Sequence, residues 1–308
     1  MMTGRQIKPA TLDTAGADGA VLNALTIDVE DYYHVSGFEG CVSRARWDDF
    51  EPRVEGNTRR LLDLLGNAGV RATFFVLGWV AERQPRLVRA IRAGGHEVAS
   101  HGYEHRLVYR QTTFEFRADV RRARTVLEDI LGEPVTAYRA PSFSITRRSL
   151  WALDVLVDEG FVFDSSIYPT RHDRYGIPGA PLAPYRIDRP DGSLWEFPPP
   201  VWHCLGYPLP AGGGGYFRLY PYALTRHALG AINASGRPFA AYLHPWEIDP
   251  GQPRLRPGPL RAFRHYVNLG RTEGRLVRLL RDFAFAPLSE ALARWCGRDM
   301  RPALARAA

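Results

Sequence analysis

The stretch Gly95-His96-Glu97-Val98-Ala99-Ser100-His101-Gly102-Tyr103-Glu104-His105 leads from a strand pattern directly into two histidines four residues apart. It holds three of the nine histidines in the 308-residue chain. On a helical turn, a spacing of four residues places two imidazoles on one side, within reach of a single ion. The stretch therefore predicts that His101 and His105 bind one metal ion. We expect His96, at the start of the strand, to have a structural role instead.

Segments with strand and helix patterns alternate on both sides of this stretch. Short apolar runs predict strands at 21–27, 72–78, 97–100, 135–138, 161–163, 194–197 and 239–243. Amphipathic periods predict helices at 53–68, 81–93, 114–131, 146–159, 221–233 and 259–281. Such alternation is typical of an α/β fold with a mostly parallel sheet, either wound open or closed into a barrel. The chemistry of these folds lies at the carboxyl ends of the strands.

The chain is expected to form one domain with flanking segments. Residues 1–20 are polar and rich in glycine and alanine, which predicts a disordered lead and not a signal peptide. Residues 21–250 form the predicted (β/α) domain, and residues 251–308 an extension that packs on it. No run of residues is apolar enough for a membrane span. We therefore expect a cytoplasmic protein, with peripheral attachment to an inner membrane as the alternative.

Composition argues against several classes of protein. The formal net charge is +7, and arginine supplies nearly all of it, since Lys8 is the only lysine. Either a coding bias or attraction to an anionic polymer explains this excess. The arginines are scattered along helices, which disfavours nucleic acid as a partner. Three distant cysteines, Cys41, Cys204 and Cys296, fit neither a disulfide framework nor a cysteine-based zinc site.

An acidic cluster, Asp28-Val29-Glu30-Asp31, follows the first predicted strand. Two histidines leave a zinc-like ion short of a third protein ligand, and a carboxylate of this cluster can supply it. If the strand continues, its period of two places Asp28 and Glu30 on one face and Asp31 on the other. One acid would then bind the metal while another takes a proton from water. The cluster predicts a metal ligand and a general base without deciding which acid is which.

Three further polar residues follow later predicted strands. Arg139 comes directly after one of them, where it can pair with the base carboxylate and hold it ionised. Asp164 and His244 follow two others. A histidine held by an acid such as Asp164 can protonate a leaving amine. Polar residues at successive strand ends indicate one hydrolytic site.

The order of these motifs resembles that of the polysaccharide deacetylases, carbohydrate esterase family 4 with its nodulation-type deacetylase homology domain. The motifs are, in chain order, Thr26-Ile27-Asp28, Ser100 to His105, Arg139-Ala140-Pro141, Asp164-Ser165-Ser166 and Leu243-His244. The resemblance covers about residues 20–250. Further similarity, to a subgroup found with bacterial exopolysaccharide export and protein-sorting loci, lies in Tyr32-Tyr33-His34 and in the tail from Phe263 to Asn268. The resemblance implies a distorted (β/α) barrel with fewer than eight strands, followed by a C-terminal helical extension.

Carried over by position, the resemblance implies a role for each motif residue. Asp28 is the expected general base, and Arg139 orients it. His244 is the expected general acid, tuned by Asp164. The reaction would be hydrolysis of an N-acetyl group on a sugar, which leaves a free amine and releases acetate.

The resemblance also implies a divalent metal cofactor, usually zinc, bound by His101 and His105. The chain departs from the family at the third ligand, because Val29 stands where the usual motif has a second aspartate. Glu30 is the predicted replacement, since it shares a strand face with the expected base, and Asp31 is the alternative. An acid-x-acid spacing also occurs in a branch that resembles allantoinase-like amide hydrolases.

Three functions are consistent with these residues. The favoured one is metal-dependent removal of N-acetyl groups from an exopolysaccharide or its lipid-linked precursor, so that the partner is an N-acetylated polysaccharide or oligosaccharide. The second is hydrolysis of a small cyclic amide or ureide, and the third is carbohydrate binding or assembly without catalysis. Aromatic side chains that favour a sugar ligand occur in and after the Pro/Gly-rich segment 168–215: Trp195, Trp202, Tyr207, Tyr216, Phe217 and Tyr220.

Overall fold

The computed structural model describes residues 21–297, and the lead expected at 1–20 lies outside this part of the chain. Its strands are β1 (Asn23–Val29), β2 (Thr73–Val76), β3 (Glu97–Ser100), β4 (Ala137–Tyr138), β5 (Phe163–Asp164), β6 (Tyr185–Arg189), β7 (Gly192–Glu196), β8 (Val201–Cys204), β9 (Tyr207–Pro210), β10 (Ala240–Leu243) and β11 (Phe285–Ala286). Its α-helices are α1 (Val54–Ala68), α2 (Gly78–Arg83), α3 (Pro85–Ala93), α4 (Thr113–Leu131), α5 (Ala152–Asp158), α6 (Gly214–Leu219), α7 (Tyr222–Ala234), α8 (Pro259–Tyr266), α9 (Leu269–Asp282) and α10 (Leu288–Cys296).

One sheet carries the fold, in the order β10-β1-β2-β3-β4-β5-β7-β6. The strands from β10 to β7 run parallel, β6 is antiparallel to β7, and β11 pairs with the beginning of β1. Parallel neighbours need long crossover connections, and the helices provide them. The sheet has nine strands in all and curls into a distorted (β/α) barrel, in which the seven strands from β10 to β7 follow one another in parallel. The predicted fold class is confirmed.

Apolar side chains on the helices cover the sheet. α1 buries Leu61 and Leu65 on one face, and α4 buries Phe116, Val120 and Leu127. β1 and β2 are buried along their whole length, as the strands of a parallel sheet covered on both faces should be. Polar side chains of this sheet therefore meet at the ends of the strands.

A run of glycines lies against the far side of β10. Gly213 forms a parallel bridge with Tyr242, and a Cβ atom on Gly213 would lie 2.3 Å from the carbonyl oxygen of Tyr242. Only glycine permits an approach this close. The contact brings α6, which follows directly, to the carboxyl end of β10.

Two predicted helices are each divided in the structure. The pattern at 81–93 forms α2 and α3, because Pro85 has no N–H to continue the first helix and suits the first turn of the second. The pattern at 259–281 forms α8 and α9, which are separated at Asn268, whose φ of 55° is left-handed. Neither division changes the path of the sheet.

The C-terminal helices pack on the barrel. α9 lies against α1, and α10 lies against β1. Leu276 and Leu279 of α9 and Leu288 and Leu292 of α10 are buried. Within residues 21–297, no helix is both long and apolar enough to cross a membrane.

Candidate active site

The carboxyl ends of the strands open into a pocket of about 650 Å³. Its floor carries five residues singled out in the sequence, Asp28, Glu30, His101, His105 and His244. They follow or end β1, β3 and β10. Parallel strands end at the same edge of a sheet, so side chains distant in sequence meet here.

Asp28 and Glu30 of the acidic cluster line the pocket, whereas Asp31 contacts the start of α1. β1 continues two residues beyond its predicted end, and both Asp28 and Glu30 are buried against the pocket. Asp31 instead accepts hydrogen bonds from backbone groups at the start of a helix. Its Oδ2 accepts hydrogen bonds from the backbone N–H groups of Arg53 at 2.7 Å and Val54 at 2.9 Å, at the start of α1. This leaves Glu30 as the carboxylate beside the histidines.

The two histidines stand in a loop, where the sequence predicts a helical turn. Gly102, with a φ of 74°, and His105, with a φ of 50°, adopt left-handed conformations that a right-handed helix does not contain. The rings of His101 and His105 nevertheless lie 5.4 Å apart between centroids. The predicted helical turn is therefore wrong, although the two histidines lie close together as predicted. A left-handed histidine costs free energy, which the surrounding contacts must offset.

Asp119 on α4 supplies such contacts and was not predicted. Its Oδ2 accepts a hydrogen bond from the backbone N–H of Tyr103 at 2.8 Å, and its Oδ1 accepts one from Glu104 at 3.1 Å. A Cβ atom on Gly102 would lie 2.8 Å from Asp119 Oδ2, so this position requires glycine for space as well as for φ. The sequence did not indicate this role, because Asp119 lies within an amphipathic helix that is rich in arginine.

Glu30, His101 and His105 form a group that fits a divalent metal ion. One ligand atom from each residue lies within 4.8 Å of the others, and all three are buried. His101 Nδ1 lies 2.8 Å from the carbonyl oxygen of Arg139, and donation to that oxygen leaves Nε2 available as a ligand atom. Glu30 Oε2 lies 2.8 Å from His105 Nε2 and has no hydrogen bond within residues 21–297. Two imidazoles and a carboxylate are a donor set that suits zinc.

Trp246 fixes the other oxygen of Glu30. Its indole Nε1–H donates a hydrogen bond to Glu30 Oε1 at 3.2 Å. Trp246 is itself stacked between His244 and His265, at centroid distances of 5.1 and 4.1 Å. Burial works to raise the pKa of Glu30, but the imidazoles of His105 and His244 hold that pKa below its usual range. Glu30 is therefore ionised, as a metal ligand must be.

Arg139 is fully buried and contacts Asp28. Its Nη1 donates hydrogen bonds to Asp28 Oδ1 at 2.7 Å and to Thr26 Oγ1 at 2.8 Å. Its Nε and Nη2 donate to the carbonyl oxygen and the hydroxyl of Ser165, at 3.2 and 2.9 Å. A guanidinium held by this many partners fixes the Asp28 carboxylate in one orientation. Asp28 Oδ2 lies 3.8 Å from His244 Nε2.

His244 is held by Glu247 and not by Asp164, which corrects one expectation. His244 Nδ1 lies 2.6 Å from Glu247 Oε1, because the 3₁₀ turn that follows β10 returns Glu247 to the ring. Burial works to lower the pKa of His244, but the carboxylates of Glu30, Glu247 and Asp28 raise it to about 9. His244 therefore reaches the pocket as a proton donor.

Arg218 on α6 binds the carboxylate oxygen of Glu247 that does not contact His244. Its Nε donates a hydrogen bond to Glu247 Oε2 at 2.6 Å, and its other nitrogens donate to backbone carbonyl oxygens between residues 264 and 267. Burial works to raise the pKa of Glu247, but the charges of Arg218 and His244 hold it below its usual range. Glu247 is therefore a fixed anion behind the imidazole. Neither residue was predicted.

Asp164 pairs with Glu196 at the end of the neighbouring strand. The two residues are in register on β5 and β7, and both are buried. Ser166 Oγ donates a hydrogen bond to Asp164 Oδ1 at 2.5 Å, and the backbone N–H of Ile167 donates one to Glu196 Oε1 at 3.1 Å. Burial raises the pKa of both carboxyl groups. Two adjacent buried carboxyls share a proton instead of ionising together.

This pair should make folding stability depend on pH. Burial raises the pKa of Asp164 to about 6, so the folded pair keeps a proton that the unfolded chain releases above about pH 4. The free energy of unfolding should therefore decline as the pH rises between these values, by about 1.4 kcal/mol for each unit of pKa shift. In Glu196→Gln this decline should become smaller while stability at pH 7 is kept.

Urea unfolding between pH 4 and pH 7 measures this effect. The exposed substitution Asp63→Asn, which also converts an acid to its amide, should leave the decline unchanged. An equal decline in Glu196→Gln and in the unmodified protein would contradict the shared proton.

The aromatic lining of the pocket differs from the expected one. Of the aromatic residues suggested by the sequence, Tyr216 lines the pocket. Trp195 and Phe217 are buried in the core, and Tyr207 is exposed on the β8–β9 hairpin. The other aromatic side chains at the pocket are Phe38, Phe143, Tyr175, Tyr242, Trp246 and Phe263.

Two family models match the chain in succession. Residues 45–156 match the family described as polysaccharide deacetylase, and residues 165–293 match the domain of unknown function DUF3473. The first segment contains the histidine loop, and the second contains His244 and its partners Glu247 and Arg218. The site is therefore built from both segments together with the strand that precedes them.

Curated relatives share parts of this sequence. The peptidoglycan-N-acetylglucosamine deacetylase of Bacillus cereus is 32% identical over 98 residues, which cover 32% of this chain and 36% of the relative. A Bradyrhizobium chitooligosaccharide deacetylase is 32% identical over 99 residues, which cover 32% of this chain and 43% of the relative. The chain thus spans less than half the length of these two relatives.

Crystal structures of related proteins share the fold. A Mycobacterium smegmatis protein assigned as a polysaccharide deacetylase superposes with a TM-score of 0.62 at 23% identity, covering 94% of this chain and 96% of that one. A Pseudomonas aeruginosa protein with the same assignment gives a TM-score of 0.59 at 16% identity, covering 90% and 91%. Residues 45–156 therefore belong to the polysaccharide deacetylase family, carbohydrate esterase family 4, and the described part of the chain has the fold of these solved structures.

Proposed function

We propose that the protein is a metal-dependent hydrolase that removes N-acetyl groups from the sugars of a polysaccharide. The observation that carries this proposal is the meeting of Asp28 and His244 beside the group formed by Glu30, His101 and His105 on one pocket floor. Carbohydrate binding alone requires neither a general base nor a general acid. The presence of both favours an enzyme over a non-catalytic binding protein.

The proposed cofactor is a divalent cation, with zinc favoured by the donor set of two imidazoles and one carboxylate. Glu30, His101 and His105 would hold it. Such a cation, when bound, polarises an acetamide carbonyl and makes a water molecule more acidic.

The side chains of the protein perform the proton transfers in this proposal. Asp28 takes a proton from the water that attacks the acetamide carbon, while Arg139 keeps the carboxylate in place. His244 gives a proton to the sugar nitrogen as the C–N bond breaks, and Glu247 holds the imidazole for that step. One water is consumed for each acetyl group, and the products are acetate and a free amine.

The proposed substrate is an N-acetylated exopolysaccharide or its lipid-linked precursor. The relatives described above are named for peptidoglycan and chitooligosaccharides, both of which are built from N-acetylated sugars. A pocket of about 650 Å³ with several aromatic side chains at its wall offers more room and more stacking surface than a small cyclic ureide needs. These observations favour the sugar substrate over the cyclic amide.

Acetate release from a panel of N-acetylated glycans, each tested with zinc and other divalent metals, tests the proposed function. We expect acetate and an equal amount of free amine from at least one glycan. Preferential turnover of allantoin would favour the amide hydrolases instead. Metal-loaded protein that hydrolyses neither class would favour carbohydrate binding without catalysis.

Glu247→Gln should lower kcat for acetate release by about tenfold to a hundredfold, because the amide lacks the charge that keeps His244 protonated. KM should change little, since Glu247 lies behind the imidazole and not among the residues that line the pocket. Steady-state kinetics with thermal unfolding as a check on folding measures this, and the exposed substitution Glu51→Gln is the control. A folded variant with unchanged kcat would contradict the assigned role.

A further inference from the structure

Three arginines that line the pocket have no acidic partner. Arg174, Arg261 and Arg264 belong to the pocket wall, and among residues 21–297 none of them has a carboxylate oxygen within 4.0 Å. Arginines elsewhere on the surface are commonly paired, as Arg121 is with Glu159 at 2.8 Å. The three side chains therefore present uncompensated positive charge to the pocket.

The three arginines lie on neighbouring parts of the pocket wall, since Arg261 and Arg264 belong to α8 and Arg174 approaches the same loop as Arg261. Arg174 and Arg261 both approach the loop at 37–40, with Nη1 atoms 3.9 and 3.7 Å from the positions that Cβ atoms would take on its two glycines. Burial lowers the pKa of His172, the charge of Asp173 works to raise it, and the charges of Arg264 and Arg174 work to lower it. Arg264 and Arg174 thus act on one imidazole, and Arg261 flanks the same loop as Arg174.

The acidic residues of the pocket do not neutralise this cluster. Asp28 and Glu30 lie on the buried floor, where Arg139 and the histidines are their partners. Asp173 points to His172, at 2.9 Å, and its side chain is 72% exposed. The three arginines therefore leave the wall of the pocket positively charged, above the floor at which the acetyl group is proposed to bind.

α8 places apolar surface beside two of these charges. Leu260 is 62% exposed and Phe263 is 56% exposed, and both line the pocket with Arg261 and Arg264. His265 of the same helix is buried. A ring face that packs on the C–H side of a sugar, next to a guanidinium that binds an anion bidentately, suits a sugar with an anionic substituent.

We propose that Arg174, Arg261 and Arg264 form an anion subsite, which binds a carboxylate or phosphate on the glycan next to the N-acetylated sugar. The inference rests on the proposed function and names its substrate class, an anionic glycan. Two sources provide such an anion: the uronate residues of an acidic polymer and the phosphate of a lipid-linked precursor. Guanidinium groups recognise both in the same planar geometry.

Direct binding tests the subsite independently of catalysis. Calorimetry uses the full chain with zinc and the substitution Asp28→Asn, which prevents turnover. One arm compares a hexasaccharide of alternating N-acetylglucosamine and glucuronic acid with neutral N-acetylchitohexaose. The other compares N-acetylglucosamine 1-phosphate with N-acetylglucosamine. We expect an anionic probe to bind about tenfold more tightly than its neutral match, with an advantage that declines as salt is added.

Two double variants test whether these arginines cause the tighter binding of the anionic probe. Arg261→Gln/Arg264→Gln should lose the tenfold advantage, whereas Arg226→Gln/Arg281→Gln, which removes the same charge from exposed positions on α7 and α9, should keep it. The arm with the larger advantage identifies the source of the anion. Equal binding of anionic and neutral probes in both arms, or equal effects of the two double variants, would overturn the subsite. Anion binding without acetate release from any glycan would instead reject the deacetylase and keep the subsite.

Discussion

Asp28→Asn should nearly abolish acetate release while the metal stays bound. Asparagine keeps the shape of the side chain but cannot take a proton from the attacking water. Loss of a general base typically lowers the rate by about 10² to 10⁴-fold, and we expect kcat to fall within that range. Metal should remain, because Glu30, His101 and His105 form the ligand group without Asp28.

Acetate release and metal content should be measured on one preparation of this variant. Arg139 loses its charged partner in Asp28→Asn, so thermal unfolding must show that the protein is folded. Asp63→Asn makes the same chemical change at an exposed position and should be fully active. Unchanged acetate release in Asp28→Asn would contradict its role as the base, and loss of the metal would make Asp28 a ligand.

Glu30→Ala and Asp31→Ala should separate the two acids that the sequence left as alternatives for the third ligand. Glu30→Ala removes a direct ligand, so metal affinity should fall by more than the about 10- to 100-fold that outer-shell partners typically contribute. Asp31→Ala removes the acceptor at the start of α1, which should lower the free energy of unfolding by about 1–2 kcal/mol while metal binding persists.

Metal titration against a competing chelator and urea unfolding measure the two effects on both variants. His34→Gln, which alters another buried polar residue near the acidic cluster, is a control for unspecific loss of structure. Metal loss in Asp31→Ala with retention in Glu30→Ala would reassign the third ligand to Asp31.

The fold could be predicted because its signals are local. Continuous apolar runs mark the strands of a covered parallel sheet, and the amphipathic period marks the helices over it. The strand Glu97–Ser100 has the predicted bounds. The strands β4 and β5 have two residues each and are shorter than predicted, because pairing with neighbours and not residue type limits them. The helix predicted from residue 146 begins only at Ala152, and the strands β6, β8 and β9 were not predicted.

The floor of the candidate site could be read from residues that directly follow strands. The residues that support the floor could not be predicted from the sequence, because their positions depend on how helices and turns pack. Asp119 reaches the histidine loop from α4, and Arg218 reaches Glu247 from α6. Asp164 lies at the end of its strand as expected, yet the adjacent strand places Glu196 beside it. The 3₁₀ turn at Pro245–Ile248 places Glu247 against the imidazole of His244.

Acetate release by metal-free and reconstituted protein shows whether the reaction depends on a metal bound by Glu30, His101 and His105. The protein would be stripped with a chelator, and zinc would then be added in measured amounts while acetate is recorded from the best glycan of the panel. We expect no acetate release without metal, release that rises in proportion to bound zinc up to one ion per chain, and no recovery in Glu30→Ala. Full acetate release from the metal-free protein would contradict the proposed metal dependence.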